Sequence, residues 1–157
     1  MPNAPARHSL IQVSAEVEVA ASPRKVLELV LDLPSYRHVD PKIRRVRVTP
    51  VLDGVDDGRA EVVGSLWLFP PLADTHLVHL DRWTGATFTG APDVFARRIY
   101  DFTGRFEVTE REGSTRVRHS YEVDLHPRLI HPFVPRIRSW MARDLDEEMA
   151  RLVAMFG

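Results

Sequence analysis

Residues 115–156, TRVRHSYEVDLHPRLIHPFVPRIRSWMARDLDEEMARLVAMF, contain the change of period that decides the architecture. Over Thr115–Leu125, Val117, His119, Tyr121, Val123 and Leu125 alternate with Arg116, Arg118, Ser120, Glu122 and Asp124. Neighbouring side chains of a strand point to opposite faces, so this segment reads as a strand with one apolar and one wet face. Beyond Pro127, Val134, Ile137, Met141, Leu145, Met149, Leu152 and Phe156 recur every three or four residues. That stripe runs for about six turns of an amphipathic helix. Its wet side is expected to carry Asp144, Glu147 and Glu148.

Upstream the strand period dominates. Tyr100, Phe102, Phe106 and Val108 oppose Asp101, Thr103, Arg105, Glu107 and Thr109, and Glu112-Gly113-Ser114 turns the chain into the last strand. A weaker strand covers Ala86–Thr89 and is expected to be an edge open to pairing with another chain. Thr75–Trp83 turns His76, Val78 and Leu80 to its apolar side. Arg59–Leu68 places Ala60, Val62, Gly64, Leu66 and Leu68 on one face before Pro70-Pro71 interrupts it. Asp53-Gly54 and Asp56-Asp57-Gly58 read as turns. Another strand starts at Ile43, with Val46 and Val48 set against Arg45 and Arg47. The first strand, Leu10–Ala20, alternates Ile11, Val13, Ala15, Val17 and Val19 with Gln12, Ser14, Glu16 and Glu18. Ser22 then caps a short helix with Pro23 in its first turn, and a second helical turn follows over Ser35–Val39. The expected fold class is α+β: a curved antiparallel sheet of about seven strands wrapped around a long C-terminal helix, with two short helices after the first strand.

Composition removes several function classes. The 157 residues are 44% hydrophobic and 27% charged, which suits one globular domain, read as residues 10–157 behind a flexible segment 1–9. There is no cysteine, so no disulfide, thiolate metal site or cysteine nucleophile exists. A net charge of −1 gives no electrostatic case for nucleic acid. Lys25 and Lys42 are the only lysines, an arginine bias that a GC-rich genome also produces. No apolar run approaches the ~20 residues of a spanning helix, and a cytoplasmic location is the expectation.

Chemical candidates are few. His119 and Tyr121 share the inward face of the last strand, where buried polar atoms need partners. Core satisfaction, ligand contact and acid–base work all fit them, and Tyr100 extends the same cluster. His119 and Tyr121 are the catalytic candidates. His76 and His79 are three apart, so a regular strand sends them to opposite faces and they do not make a metal pair. The sequence implies no metal and no cofactor. Lys42–Arg47 is basic, but its period makes it a solvated strand face. His126 and His131 fall in the approach to the helix. Glu16, Glu18, Glu107, Glu122 and Asp124 all face outward, and no Gly-x-Ser-x-Gly elbow or Gly-rich phosphate loop occurs. The apolar segments Pro70-Pro71-Leu72 and Arg128–Phe133 suggest a gate, one that would touch a membrane or donor protein transiently.

The element order resembles the START/Bet v 1-like superfamily, also called SRPBCC or polyketide cyclase/dehydrase-like. The stretch Val17-Glu18-Val19-Ala20-Ala21-Ser22-Pro23 with Val26, Leu27 and Leu31 is similar to its first strand and helix entry. Leu33–Pro41 is similar to its second short helix, with His38 where an aromatic, often Trp, is usual. Gly113-Ser114-Thr115-Arg116-Val117 and the terminal helix complete the likeness. The resemblance implies a helix-grip fold with a cavity between sheet and helix for a lipid, polyketide or isoprenoid-like molecule. The inward residues would line it: Val62 and Leu66; Val78 and Leu80; Tyr100, Phe102 and Phe106; His119 and Tyr121. From the helix come Ile137, Trp140, Met141 and Leu145. Three readings follow: a carrier or sequestering protein, a polyketide aromatase/cyclase or dehydratase, and a partner-binding module of the quinone-chaperone-like or toxin-like kind. Scarce inward reactive groups favour the first. No feature of the sequence demands an oligomer.

Overall fold

The computed structural model describes residues 9–50 and 56–157. The chain runs β1 (Leu10–Val19), α1 (Pro23–Leu31), α2 (Leu33–Tyr36), β2 (Ile43–Val48), β3 (Asp57–Gly64), β4 (Leu72–Asp81), β5 (Gly85–Gly90), β6 (Tyr100–Arg111), β7 (Ser114–Leu125) and α3 (Val134–Phe156). Short 3-10 segments at Phe95–Arg98 and Arg128–Phe133 lead into β6 and α3. Among the described residues the strands form one antiparallel sheet in the order β1-β7-β6-β5-β4-β3-β2. The α+β architecture expected from the two periods, and the helix-grip arrangement that the resemblance implies, are therefore present. The segment 1–9, apart from Ser9, and the turn at Asp53-Gly54 lie outside the described residues.

The local signals for α1 act as expected. Ser22 accepts a hydrogen bond from the Lys25 amide at 3.3 Å, and Pro23 occupies the first turn. Helices α1 and α2 carry the chain from β1, at one edge of the sheet, to β2 at the other. Val26, Leu27, Val30, Leu33 and Tyr36 are buried beneath them. Helix α3 buries Val134, Ile137, Met141, Leu145, Met149 and Leu152, the apolar stripe of the sequence, and runs closest to β1. The sheet curves away from α3 toward β3–β6, and that divergence opens the interior.

Three expectations are corrected. Strand β5 is not an edge: it pairs with β4 over Asp81–His76 and with β6 over Glu107–Thr103. Its alternation is weak because glycines stand at both ends, yet both its neighbours are in place. The true edges are β1 and β2. Strand β3 starts two residues earlier than expected, with Asp57 and Gly58 paired to His79 and Val78, so they are not a turn. It stops at Gly64, where the ladder to both Ile43 and Leu72 ends. The chain then coils back, with the Phe69 amide donating to Leu66 O at 3.0 Å and Trp67 held at φ 50°. Leu68, which continues the strand's alternation only by coincidence of sequence, is 80% exposed.

Candidate functional site

The cavity between sheet and helix has a volume of about 450 Å³, inside the range of about 300–1,000 Å³ usual for small-molecule sites. Its floor comes from the inward residues of β3, β6 and β7, its roof from Val30, Leu33 and Met141, and its mouth from Phe69, Pro70, Pro71, Leu72, Pro127 and Ile130. The walls are mainly apolar. Trp67 joins the mouth loops, with its ring 5.6 Å from Phe69 and 5.9 Å from Phe133.

Of the residues expected to line it, Val62, Leu66, Tyr100, Phe102, Phe106, His119, Tyr121 and Met141 do so. Val78, Leu80, Ile137 and Leu145 face inward too, but they are at most 2% exposed and packed in the core where helix and sheet meet closely. Trp140 departs from the inner stripe by one residue. That rotation of about 100° sends it outside, beside Trp67, Pro135 and Arg143.

The expectation that the helix carries only wet acids is overturned at Glu148, which is fully buried. It stands three residues after Leu145 and four before Leu152, so helical spacing puts it on the inner stripe. Its carboxylate gathers a polar cluster. Tyr36 donates to Oε1 at 2.6 Å, and Tyr121 donates to Oε2 at 3.0 Å. His119 Nδ1 lies 3.0 Å from Oε1, outside hydrogen-bond geometry. Lys42 Nζ lies 3.3 Å from Glu148 Oε2 and 2.8 Å from Asp40 Oδ1, and it donates to Asp144 as well. Asp40, Asp144 and Glu148 bring carboxylate oxygens close together, and the Lys42 ammonium is the cation among them. The loop bearing Asp40 is pinned by Arg151, which donates to Val39 O at 2.7 Å.

These environments split the acids. Burial pushes Glu148 up, but His119, Lys42 and Tyr36 outweigh it and hold the carboxyl down at about 2. Burial, then the charge of Glu148, push Asp40 up to about 6 against the opposing pull of Lys42. Burial alone would lower Lys42, yet Asp40, Glu148 and Asp144 raise it, so it stays an ammonium. Burial and the neighbouring Glu148 raise the Tyr36 and Tyr121 hydroxyls, which remain protonated donors. Asp40, Lys42, His119 and Tyr121 reach the cavity wall; His119 lies flat on Phe106, with 3.7 Å between ring centroids.

A further inward acid, Asp74 on β4, is 5% exposed and lines the cavity with His76 and Tyr100. His79 points the other way, contacting Asp57 and Asp81 in solvent, as the strand period requires. The inward position of Asp74, two residues before His76, was readable from the same alternation. Asp40 follows a single helical turn and had no periodic signal. His131 Nε2 contacts Leu125 O at 3.0 Å, and His126 contacts Asp101 at 3.2 Å. Among the described residues no helix is long and apolar enough to cross a membrane.

Comparison with known proteins gives the same architecture. A family model described as polyketide cyclase / dehydrase and lipid transport matches residues 11–157. No curated protein sequence matches the chain. Among solved structures, the Zhui aromatase/cyclase from Streptomyces sp. R1128 superposes with a TM-score of 0.73 at 12% identity, over 93% of each chain. A START superfamily protein from Mycobacterium smegmatis gives 0.71 at 17% identity, over 93% of this chain and 99% of that one. Norcoclaurine synthase from Thalictrum flavum, in complex with dopamine and hydroxybenzaldehyde, gives 0.58 at 14% identity, over 100% of this chain and 95% of that one. At these identities the likeness is one of fold.

Proposed function

The chain belongs to the polyketide cyclase / dehydrase and lipid transport family, and from that premise we propose that it binds one hydrophobic small molecule bearing polar substituents. The occupant is lipid-, polyketide- or isoprenoid-like, and the chain carries or sequesters it. The observation behind this reading is the open interior of about 450 Å³, apolar along its walls, with polar groups gathered at Asp40/Lys42/His119/Tyr121 and at Asp74/His76/Tyr100. Such a site rewards apolar area and fixes orientation by a few hydrogen bonds. Leu68 and Leu129, 80% and 88% exposed, flank the mouth and suit transient contact with a membrane or donor protein during loading. The test is native mass spectrometry of the purified chain. A discrete added mass, released by organic extraction and lost in Val62→Trp, supports the reading. A wild-type chain that takes up no hydrophobic molecule when challenged contradicts it.

One observation favours a second reading, an aromatase/cyclase or dehydratase acting in the same cavity. Asp40 titrates at about 6 and sits 3.5 Å from the Tyr121 hydroxyl on the cavity wall, so near neutral pH it exchanges a proton readily. Turnover of a poly-β-ketone substrate that falls at least about 100-fold in Asp40→Asn supports it. Substrate binding without turnover in the wild type removes it.

A further inference from the structure

We propose that Asp74, His76 and Tyr100 form a second polar subsite in the cavity, at which His76 Nδ1 accepts a hydrogen bond from a hydroxyl group of the bound molecule. The proposal rests on the cavity being a ligand site and adds which chemistry that ligand carries. Asp74 itself is fully engaged. Oδ1 accepts from the Thr75 amide at 2.7 Å and from Arg97, and Oδ2 accepts from the Tyr100 hydroxyl and contacts His76 Nε2 at 3.1 Å. Four contacts fill the acceptor capacity of one carboxylate. Burial pushes Asp74 up, but the hydrogen bonds from His76, Tyr100 and Arg97 prevail and hold it at about 2, so it is an acceptor only. An acceptor at Nε2 requires the proton to be there, so in the neutral ring the lone pair is on Nδ1.

Nothing in the described protein uses that lone pair. His76 Nδ1 has no hydrogen-bond partner among the described residues and is not a fully buried atom, and the ring forms part of the cavity wall. Phe102 holds the ring in place by stacking, with centroids 4.8 Å apart. Arg97, 10% exposed, supplies the countercharge of Asp74 and lies over Tyr100 at 4.8 Å. It fits only because residue 90 is glycine: a Cβ there would stand 1.8 Å from Arg97 Nη1. The imidazole is thus oriented by a buried ion pair behind it. Phe102 also separates this subsite from the first cluster, its ring 5.7 Å from that of Tyr121. A ligand spanning the cavity meets a charged donor–acceptor cluster at one place and the His76 ring at the other, where an Nδ1 acceptor fits a phenolic or enolic hydroxyl.

The experiment compares binding of 2-naphthol and 2-methoxynaphthalene, which share an aromatic body and differ in the donor, to the full chain by calorimetry. In His76→Phe, which keeps the stack on Phe102, the preference for 2-naphthol should fall about tenfold while 2-methoxynaphthalene binds as in the wild type. An unchanged preference overturns the subsite and leaves the cavity reading standing. Failure of both probes to bind the wild type overturns the cavity reading, and the subsite with it. Independently, the 15N shifts of His76 in the wild type, followed over a pH series, should report the neutral ring as the Nε2–H tautomer; the Nδ1–H tautomer overturns the proposal.

Discussion

Glu148 is the residue on which the interior depends. It is a buried carboxylate facing Lys42, His119, Tyr36 and Tyr121; removing its charge weakens the hydrogen bonds it accepts from Tyr36 and Tyr121 and takes a buried anion from beside His119, while Lys42 keeps Asp40 and Asp144. A hydrogen bond to a charged group is worth about 1.5–3 kcal/mol. Glu148→Gln should therefore lower stability by about 3 kcal/mol in urea denaturation at neutral pH; a loss below about 1 kcal/mol would show the cluster to be loosely held. Asp40 behaves oppositely. Its folded pKa of about 6 lies above the value of 3.8 for an unperturbed carboxyl, so it contributes stability below pH 4 that disappears as pH rises through about 6. Asp40→Asn mimics the protonated form. It should match the wild type near pH 4 and exceed it by about 1–3 kcal/mol at pH 7. Glu148 and Asp74, held at about 2, contribute stability present above about pH 4.5 and lost as pH falls toward 2.

The two signs explain why this part of the site was hard to read from the sequence. Glu148 occupies a helical slot among Leu145, Met149 and Leu152, and Asp74 an inward strand slot, so geometry had placed both inside. Their charge argued for the surface, because an isolated buried carboxylate is costly. The partners that remove that cost, Lys42 and Arg97, come from 106 and 23 residues away, and periodicity cannot see them. His119 and Tyr121 were visible because neither is an acid whose type argues for the surface against its position on β7.

At the scale of elements, the strand and helix periods carried the order of the fold, and the departures arose where pairing is decided by a partner strand. Strand β5 illustrates this. Gly85 contributes little to alternation, yet its bare Cα lets β6 approach: a Cβ would sit 2.6 Å from Phe106 O. Gly85→Ala must move backbone and should cost about 2 kcal/mol, with amide exchange accelerated along the β5–β6 ladder. Gly104→Ala is the control. Its Cβ would meet the tip of the Phe102 ring at 3.0 Å, a side chain able to swing toward the cavity, so the loss should be smaller. Equal losses would mean that the cavity wall is as rigid as the sheet. The end of β3 at Gly64 is another case: alternation continues to Leu68, but strand pairing ends at Ile43 and Leu72, and beyond it the Ser65 amide donates to Lys42 O at 2.9 Å before the chain turns away.

At the scale of the whole molecule, the decisive quantity is the separation of α3 from the sheet. Close to β1 the two pack solidly; toward β3–β6 they part and leave the cavity. Inward-facing residues therefore divide into two sets that no sequence pattern distinguishes. Val62, Leu66, Val123 and Met141 line the opening, whereas Val78, Leu80, Ile137 and Leu145 fill the core. The central claim, that this opening holds one small hydrophobic molecule, is tested most directly by a methyl NMR titration of the full chain with 2-methoxynaphthalene. The account predicts saturation at one equivalent, with the largest shifts at Val62, Leu66, Val123 and Met141 and small ones at Val78, Leu80, Ile137 and Leu145. Shifts confined to the exposed Leu68 and Leu129, or no saturable shifts, would contradict it.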